Sequence, residues 1–287
     1  MIPPAFDYHA PQSVADAIRL LGSLGADAKL LAGGHSLLPM MKLRFAQPAH
    51  LIDLNRIAAL RGIREEGGTI VIGAMTVEND LIASKLLHSK LPLLPEAALL
   101  IADPQVRNRG TIGGDIAHGD PGNDHPAIAI ALDAAFVLEG PKGERLVRAD
   151  AFFHGTYMTE MAENEILTAI RIPAFAPKTG YAYEKLKRKT GDWATAAAAV
   201  VLRITAGQVS HVRIALTNLA PTALRASAAE AALLGKAITD ATVADAVAKA
   251  CAICDPAEDL RGDREYKTAM AGQMVKRALL KAAARCQ

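Results

Sequence analysis

Between Arg109 and Pro126 the chain reads R-G-T-I-G-G-D-I-A-H-G-D-P-G-N-D-H-P, with five glycines, three aspartates and two histidines. A segment this poor in apolar side chains adds little to a core. It offers approachable backbone amides and conformations with positive φ, which is the chemistry of anion binding. Leu31-Ala32-Gly33-Gly34-His35-Ser36-Leu37 repeats the idea at a strand-to-helix junction, where a helix dipole and free amides favour negative charge. Either Gly-Gly pair alone reads more readily as an ordinary tight turn. Together they read as two loops that close on one diphosphate.

At 287 residues the chain is long enough for two or three lobes with well-buried cores. Aromatic residues make up only 4% and alanine is abundant, which favours close-packed α and β elements over an aromatic-rich binding surface. The net charge of +2 is spread along the chain, so the concentrated basic face of a nucleic-acid partner is missing. Three cysteines, an odd count without framework spacing, argue against an oxidised fold. Met1 to Asp7 shows neither a charged nor an apolar leader region, so the cytoplasm is the expected location. The longest uncharged apolar stretch, Ala194 to Leu202, is too short to span a bilayer.

Periodicity and caps predict a helix from Ser13 to Gly22 or Gly25, a strand over Lys29–Ala32, a helix over Leu37–Arg44 and a strand over His50–Asp53. A hairpin follows over Gly62–Gly73, with Thr76 placed as the cap of a helix through Leu81 and a further helix over Leu93–Ile101. Ala135–Glu139 and Glu144–Arg148 form a second hairpin, and Ile166–Ile172 a strand. Pro173 to Gly180 has linker composition, which places a boundary near residue 177 and separates 1–177 from 178–287. Beyond it come three strands (181–187, 194–204, 209–216) and then helices (227–234, 242–253, 266–285). The order gives an α+β fold rather than a doubly wound sheet.

Standard nucleotide motifs are missing: there is no G-x-G-x-x-G, and Gly235-Lys236 is followed by Ala237 where a phosphate loop needs Ser or Thr. Asp115, His118, Asp120, Asp124 and His125 carry metal-ligand chemistry, but Asp120–Asp124 has turn composition and no helical ligand pair supports a metal. Asp124 reads better as an acceptor for a ribityl or ribose hydroxyl. Cys251-Ala-Ile-Cys254 lies in an alanine-rich helical pattern, which favours ordinary packed thiols over a redox pair. Lys185, Lys187 and Lys189 alternate onto one face of a strand, from which one can reach a flavin edge. Trp193, the only tryptophan, reads either as core or as a cover for a planar ring. No G-x-S-x-G elbow or other nucleophile stands out, so the chain lends its environment to a cofactor.

A-G-G-H-S-L-L-P-M-M-K-L-R, R-N-R-G-T-I-G-G-D, G-D-P-G-N-D and Y-E-K-L-K-R-K-T-G-D-W-A-T-A together resemble the FAD-binding medium subunits of aerobic, molybdenum-containing carbon monoxide dehydrogenases. These belong to the xanthine oxidase family of molybdenum hydroxylases, and the likeness runs the whole length. It implies a vanillyl-alcohol-oxidase-type (PCMH-like) fold: two α+β lobes that clamp FAD, then a three-stranded sheet with a helical bundle. By resemblance, Ala32, Gly33, Gly34, His35 and Ser36, with Thr111, Ile112, Gly113, Gly114 and Asp115, surround the FAD diphosphate. Asp124 binds the cofactor's hydroxyls, Lys185 approaches the isoalloxazine, Leu167 and Thr168 touch the adenine side, and Trp193 lies against one flavin face. Asp115 stands where many relatives have Asn, and Trp193 where many have Tyr; a charged Asp115 must face away from a diphosphate.

The same resemblance implies partners. A molybdoprotein large subunit oxidises carbon monoxide at a molybdenum-copper centre on a molybdopterin, and a small subunit carries two [2Fe-2S] clusters. This chain's FAD passes the electrons to a quinone-type acceptor, within a dimer of heterotrimers whose membrane contact is at most peripheral, at the inner face of the cytoplasmic membrane. The rival readings are the FAD subunit of a purine, aldehyde or N-heterocycle hydroxylase, and a cofactor-free assembly subunit.

Overall fold

The structure is a computed structural model that describes residues 2–286; Met1, the first residue of the N-terminal stretch read above, lies outside the described residues. The first lobe holds β1 (Asp7–His9), α1 (Val14–Leu24), β2 (Ala28–Leu31), α2 (Leu37–Lys42) and β3 (His50–Asp53). Its three strands are parallel in the order β1-β3-β2, with Leu51 opposite both Tyr8 and Lys29. Ser13 caps α1, its hydroxyl accepting from the Asp16 amide at 3.1 Å, and Ala17, Ile18 and Leu21 form the buried stripe that the helical spacing predicts. That stripe packs with Ile52, Leu54 and Leu60 as a core of its own.

The second lobe runs through β4 (Ile63–Glu66), β5 (Thr69–Gly73), α3 (Glu78–Ala83), α4 (Lys85–Lys90), α5 (Leu93–Ala98), α6 (Pro104–Arg107), α7 (Ile112–His118) and α8 (Asp124–Ala131). It ends with β6 (Ala135–Gly140), β7 (Gly143–Arg148), β8 (Phe153–Gly155), β9 (Met158–Thr159) and β10 (Ile166–Pro173). A five-stranded antiparallel sheet in the order β4-β5-β10-β6-β7 carries these helices. Thr76 does not cap α3: the helix starts after Val77, and the Thr76 hydroxyl instead donates to the Gly62 carbonyl at 3.2 Å. α5 also stops at Ala98, short of Ile101.

The remainder forms β11 (Thr179–Leu186), β12 (Ala196–Thr205), β13 (Gln208–Thr217), β14 (Leu224–Arg225), α9 (Ser227–Leu233), α10 (Asp240–Cys251) and α11 (Arg264–Ala284). The sheet has four strands, β11-β12-β13-β14, rather than three, because Leu224 and Arg225 return to pair with Leu216 and Ala215. Both faces of β12 are covered. Ala196, Ala198, Val200 and Leu202 face α9–α11, while Ala197, Ala199 and Val201 belong to the second lobe's core. Double burial explains why this strand reads as an unbroken apolar run instead of alternating.

Candidate functional site

The two glycine segments meet. A Cβ at Gly33 would fall 2.4 Å from the Arg109 carbonyl oxygen and 2.9 Å from the Gly110 Cα, and a Cβ at Gly114 would fall 3.3 Å from the Ala32 Cβ. Only hydrogen fits where one loop crosses the other. Asn55, turned by the Asp53 carboxylate, fixes the first loop by donating from Nδ2 to the Ala32 carbonyl at 3.0 Å. Val77 pairs with Thr111, and the Glu78 amide donates to the Gly110 carbonyl at 3.1 Å, which fixes the second.

The loops offer different chemistry. In the first turn of α7 the protein already takes the amides of Ile112 (to Thr76 O, 3.1 Å), Gly113 (to Ala74 O, 2.9 Å), Gly114 (to Thr111 Oγ1, 3.2 Å) and Asp115 (to Thr111 O, 3.0 Å). The expectation that the whole of Thr111–Asp115 presents amides to a diphosphate is narrowed accordingly; among the described residues, the donors of this segment without an acceptor are the Thr111 amide and the Thr111 hydroxyl. In the first loop, backbone bonding resumes only with Leu38 to Gly34 O and Met40 to Ser36 O. The amides of Gly33 to Leu37 have no acceptor among the described residues, Gly34 holds φ +79°, and the Ser36 hydroxyl makes no capping bond. A run of unbonded amides beside two hydroxyls fits a diphosphate.

Behind the second loop lies a polar cluster in which Glu78, Asp124 and His125 are buried and Asp115 is partly so. Asp124, at the start of α8, accepts from the Tyr183 hydroxyl at Oδ1 and from Lys185 Nζ at Oδ2, the latter at 2.7 Å. His125 meets Glu78 at 2.8 Å, and its amide donates to Asp115 Oδ2 at 3.3 Å. Burial, reinforced by the Glu78 and Asp124 charges, pushes the Asp115 carboxyl up to about 7. For His125, burial opposes the cation, but Glu78 outweighs it and raises the imidazole to about 9. Tyr183 is driven well above its ordinary value by burial and then by Asp124. The Asp115 side chain therefore faces inward, toward α8, as a diphosphate neighbour requires.

Several of the expected cofactor residues already have partners within the protein. The Lys185 side chain is 1% exposed and its ammonium is engaged by Asp124 and the Leu100 carbonyl. Lys187 reaches the same carbonyl at 2.8 Å, while Lys189 lies beyond the end of β11 and is exposed, so the three lysines do not share one face. Both carboxylate oxygens of Asp124 already have partners within the protein. Leu167 and Thr168 are buried at a bulge in β10, and the Thr168 carbonyl is taken by the Ala74 amide at 2.9 Å. Trp193 is not core; it is 51% exposed beside the Gly122 turn. His35 is also exposed, next to the open amides. The residues that sequence reasoning missed are Glu78, Tyr183 and Arg261. Only Tyr183 carried a signal, since it lies two residues before Lys185 and so shares its face of β11.

Two α+β lobes joined at crossed glycine loops, backed by a double-faced sheet, define a flavin-nucleotide-binding subunit. Residues 4–175 match the family described as "FAD binding domain in molybdopterin dehydrogenase", and residues 181–282 the "CO dehydrogenase flavoprotein C-terminal domain". The chain belongs to this family of FAD-binding subunits of molybdopterin dehydrogenases. It is 72% identical to the carbon monoxide dehydrogenase medium chain of Hydrogenophaga pseudoflava, covering 100% of both chains, and 55% identical to that of Afipia carboxidovorans, again over 100% of both. A solved carbon monoxide dehydrogenase from Hydrogenophaga pseudoflava superimposes with TM-score 0.99 at 74% identity, covering 100% of both chains. Quinoline 2-oxidoreductase from Pseudomonas putida 86 follows the same path at TM-score 0.94 and 33% identity, covering 100% of this chain and 99% of that one.

Proposed function

We propose that this chain is the FAD-carrying medium subunit of a carbon monoxide dehydrogenase. The observation that carries the reading is the full-length identity of 72% to one such medium chain, against 34–36% to subunits named for nicotine, caffeine and glyceraldehyde oxidation. The open amides of Gly33 to Leu37, with the hydroxyls of Ser36 and Thr111, hold the diphosphate. Asp115 keeps its carboxyl turned away, and Asp124 and Lys185 act from beneath as a buried brace. Trp193 covers one face of the flavin ring.

FAD, when bound, supplies a centre that takes up single electrons and releases them in pairs. The small iron-sulfur subunit delivers those electrons from the large molybdoprotein, and a quinone-type acceptor removes them, in a dimer of heterotrimers at the inner face of the cytoplasmic membrane. Contact there is peripheral: among the described residues no helix is long and apolar enough to cross a membrane. The test is a visible spectrum of the purified complex under anaerobic carbon monoxide. Bleaching of the flavin band near about 450 nm supports the proposal. A band that ignores carbon monoxide but bleaches with an N-heterocycle overturns it in favour of that substrate.

A further inference from the structure

Trp193 has two neighbours that fix it, Arg261 and the Gly122 turn. The Arg261 guanidinium carbon sits 5.6 Å from the centre of its ring, within cation–π range, and a Cβ at Gly122 would touch the indole Cδ1 at 3.0 Å. The residue is nonetheless 51% exposed. Arg261 is itself clamped. It donates from Nε and Nη2 to Asp192 Oδ1 at 3.2 and 2.8 Å, and from Nη1 to Asp259 Oδ2 at 3.1 Å. Asp259 is anchored by Lys267, whose side chain is 1% exposed and whose ammonium lies 2.9 Å from Asp259 Oδ1. Arg188 closes the other side of Asp192 at 2.8 Å. An unbroken ionic chain thus runs from α11, through the loop after α10, to the residue preceding the tryptophan.

Surface ion pairs usually contribute little, but here the Asp192 side chain is only 4% exposed and the arginine 15%, so the geometry is rigid. Against the burial that favours its neutral form, Arg261 and Arg188 hold the Asp192 carboxyl down at about 2. A guanidinium fixed over one face of an indole leaves the ring a single free face in a set orientation.

We infer that Arg261 is a positioning residue: clamped by Asp192 and Asp259, it sets the angle at which the free face of Trp193 meets the flavin ring. The inference rests on the proposed flavin contact of Trp193. It adds that the C-terminal helical domain, through the loop before α11, controls the cofactor's cover.

Because Trp193 is the only tryptophan, its emission reports this geometry without background from another indole. The full chain is titrated with FAD while tryptophan emission and the flavin-to-protein ratio are followed. FAD quenches the emission of the unaltered chain. In Arg261→Met, loss of the cation–π contact lowers the docked population of the indole about fivefold, and quenching weakens while flavin content stays the same. Asp192→Asn, nearly isosteric, gives the same direction and serves if the first variant fails to fold. Unchanged quenching in a folded variant overturns the positioning role. Absence of quenching in the unaltered chain, with FAD bound, overturns the flavin contact itself, and the two failures are told apart by which protein shows them.

Discussion

Lys185 Nζ lies 2.7 Å from Asp124 Oδ2, with the two side chains only 1% and 6% exposed. The pair ties the first strand of the C-terminal sheet to the helix that follows the second glycine loop, so a change in one domain is felt at the cofactor loop of another. Removing one partner leaves a buried charge without compensation. Lys185→Met therefore destabilises the chain by about 3–5 kcal/mol, and adding Asp124→Asn recovers much of that loss. Urea midpoints of both single variants and the double variant check this, and a double variant whose loss equals the sum of the two single losses would show the pair to be uncoupled.

The crossing of the loops makes a second prediction. Gly33→Ala places a methyl group 2.4 Å from the Arg109 carbonyl, so the loops must part and FAD affinity falls by at least about tenfold. Gly22→Ala, in α1 with nothing within 4 Å of the added carbon, instead stabilises by about 0.5–1 kcal/mol. Flavin content measured after gel filtration, alongside a thermal melt, separates the two glycines.

The crossing was legible in part. Gly-Gly twice, the first at a predicted strand-to-helix junction, marked two loops that the structure brings together, because glycine where nothing else fits leaves a mark in the sequence. Which loop holds the free donors was not legible, since the amides of α7 are taken by Thr76 and Ala74, far away in sequence. The partners of Lys185 were hidden for a similar reason. Its alternation with Lys187 and Lys189 suggested one shared strand face, and nothing local reveals that Asp124 and the Leu100 carbonyl are waiting there. Trp193 is the reverse case: a single tryptophan in an alanine-rich chain reads equally as core or as a ring cover, and only the structure shows it exposed beside the Gly122 turn and Arg261.

The cluster behind α7 makes stability fall as pH rises. Asp115 has a folded value of about 7 against 3.8 unfolded, so between these the folded chain holds a proton that the unfolded chain has released. His125, at about 9 against 6.5, contributes stability that is complete below 6.5 and lost as pH climbs through 9. Both slopes have the same sign. Asp115→Asn removes the lower window and raises stability above pH 7, leaving the descent that belongs to His125. Urea midpoints across the two windows test it, and a variant that follows the parent's curve would show that Asp115 is already ionised in the folded chain.

Thr111 does two jobs that substitution can separate. Its oxygen accepts from the Gly114 amide at 3.2 Å and so caps α7, while its hydroxyl proton is left, beside its own backbone amide, as a donor for a diphosphate. Thr111→Val keeps the shape and loses both. The missing cap destabilises by about 1 kcal/mol, and the missing donor to an anion weakens FAD binding by about tenfold or more. Thr111→Ser keeps both groups and restores affinity, at a small cost from the lost methyl. Were the donor role absent, Thr111→Val would lose stability yet hold FAD as tightly as the parent, a result that FAD titration at a temperature well below the melt would expose.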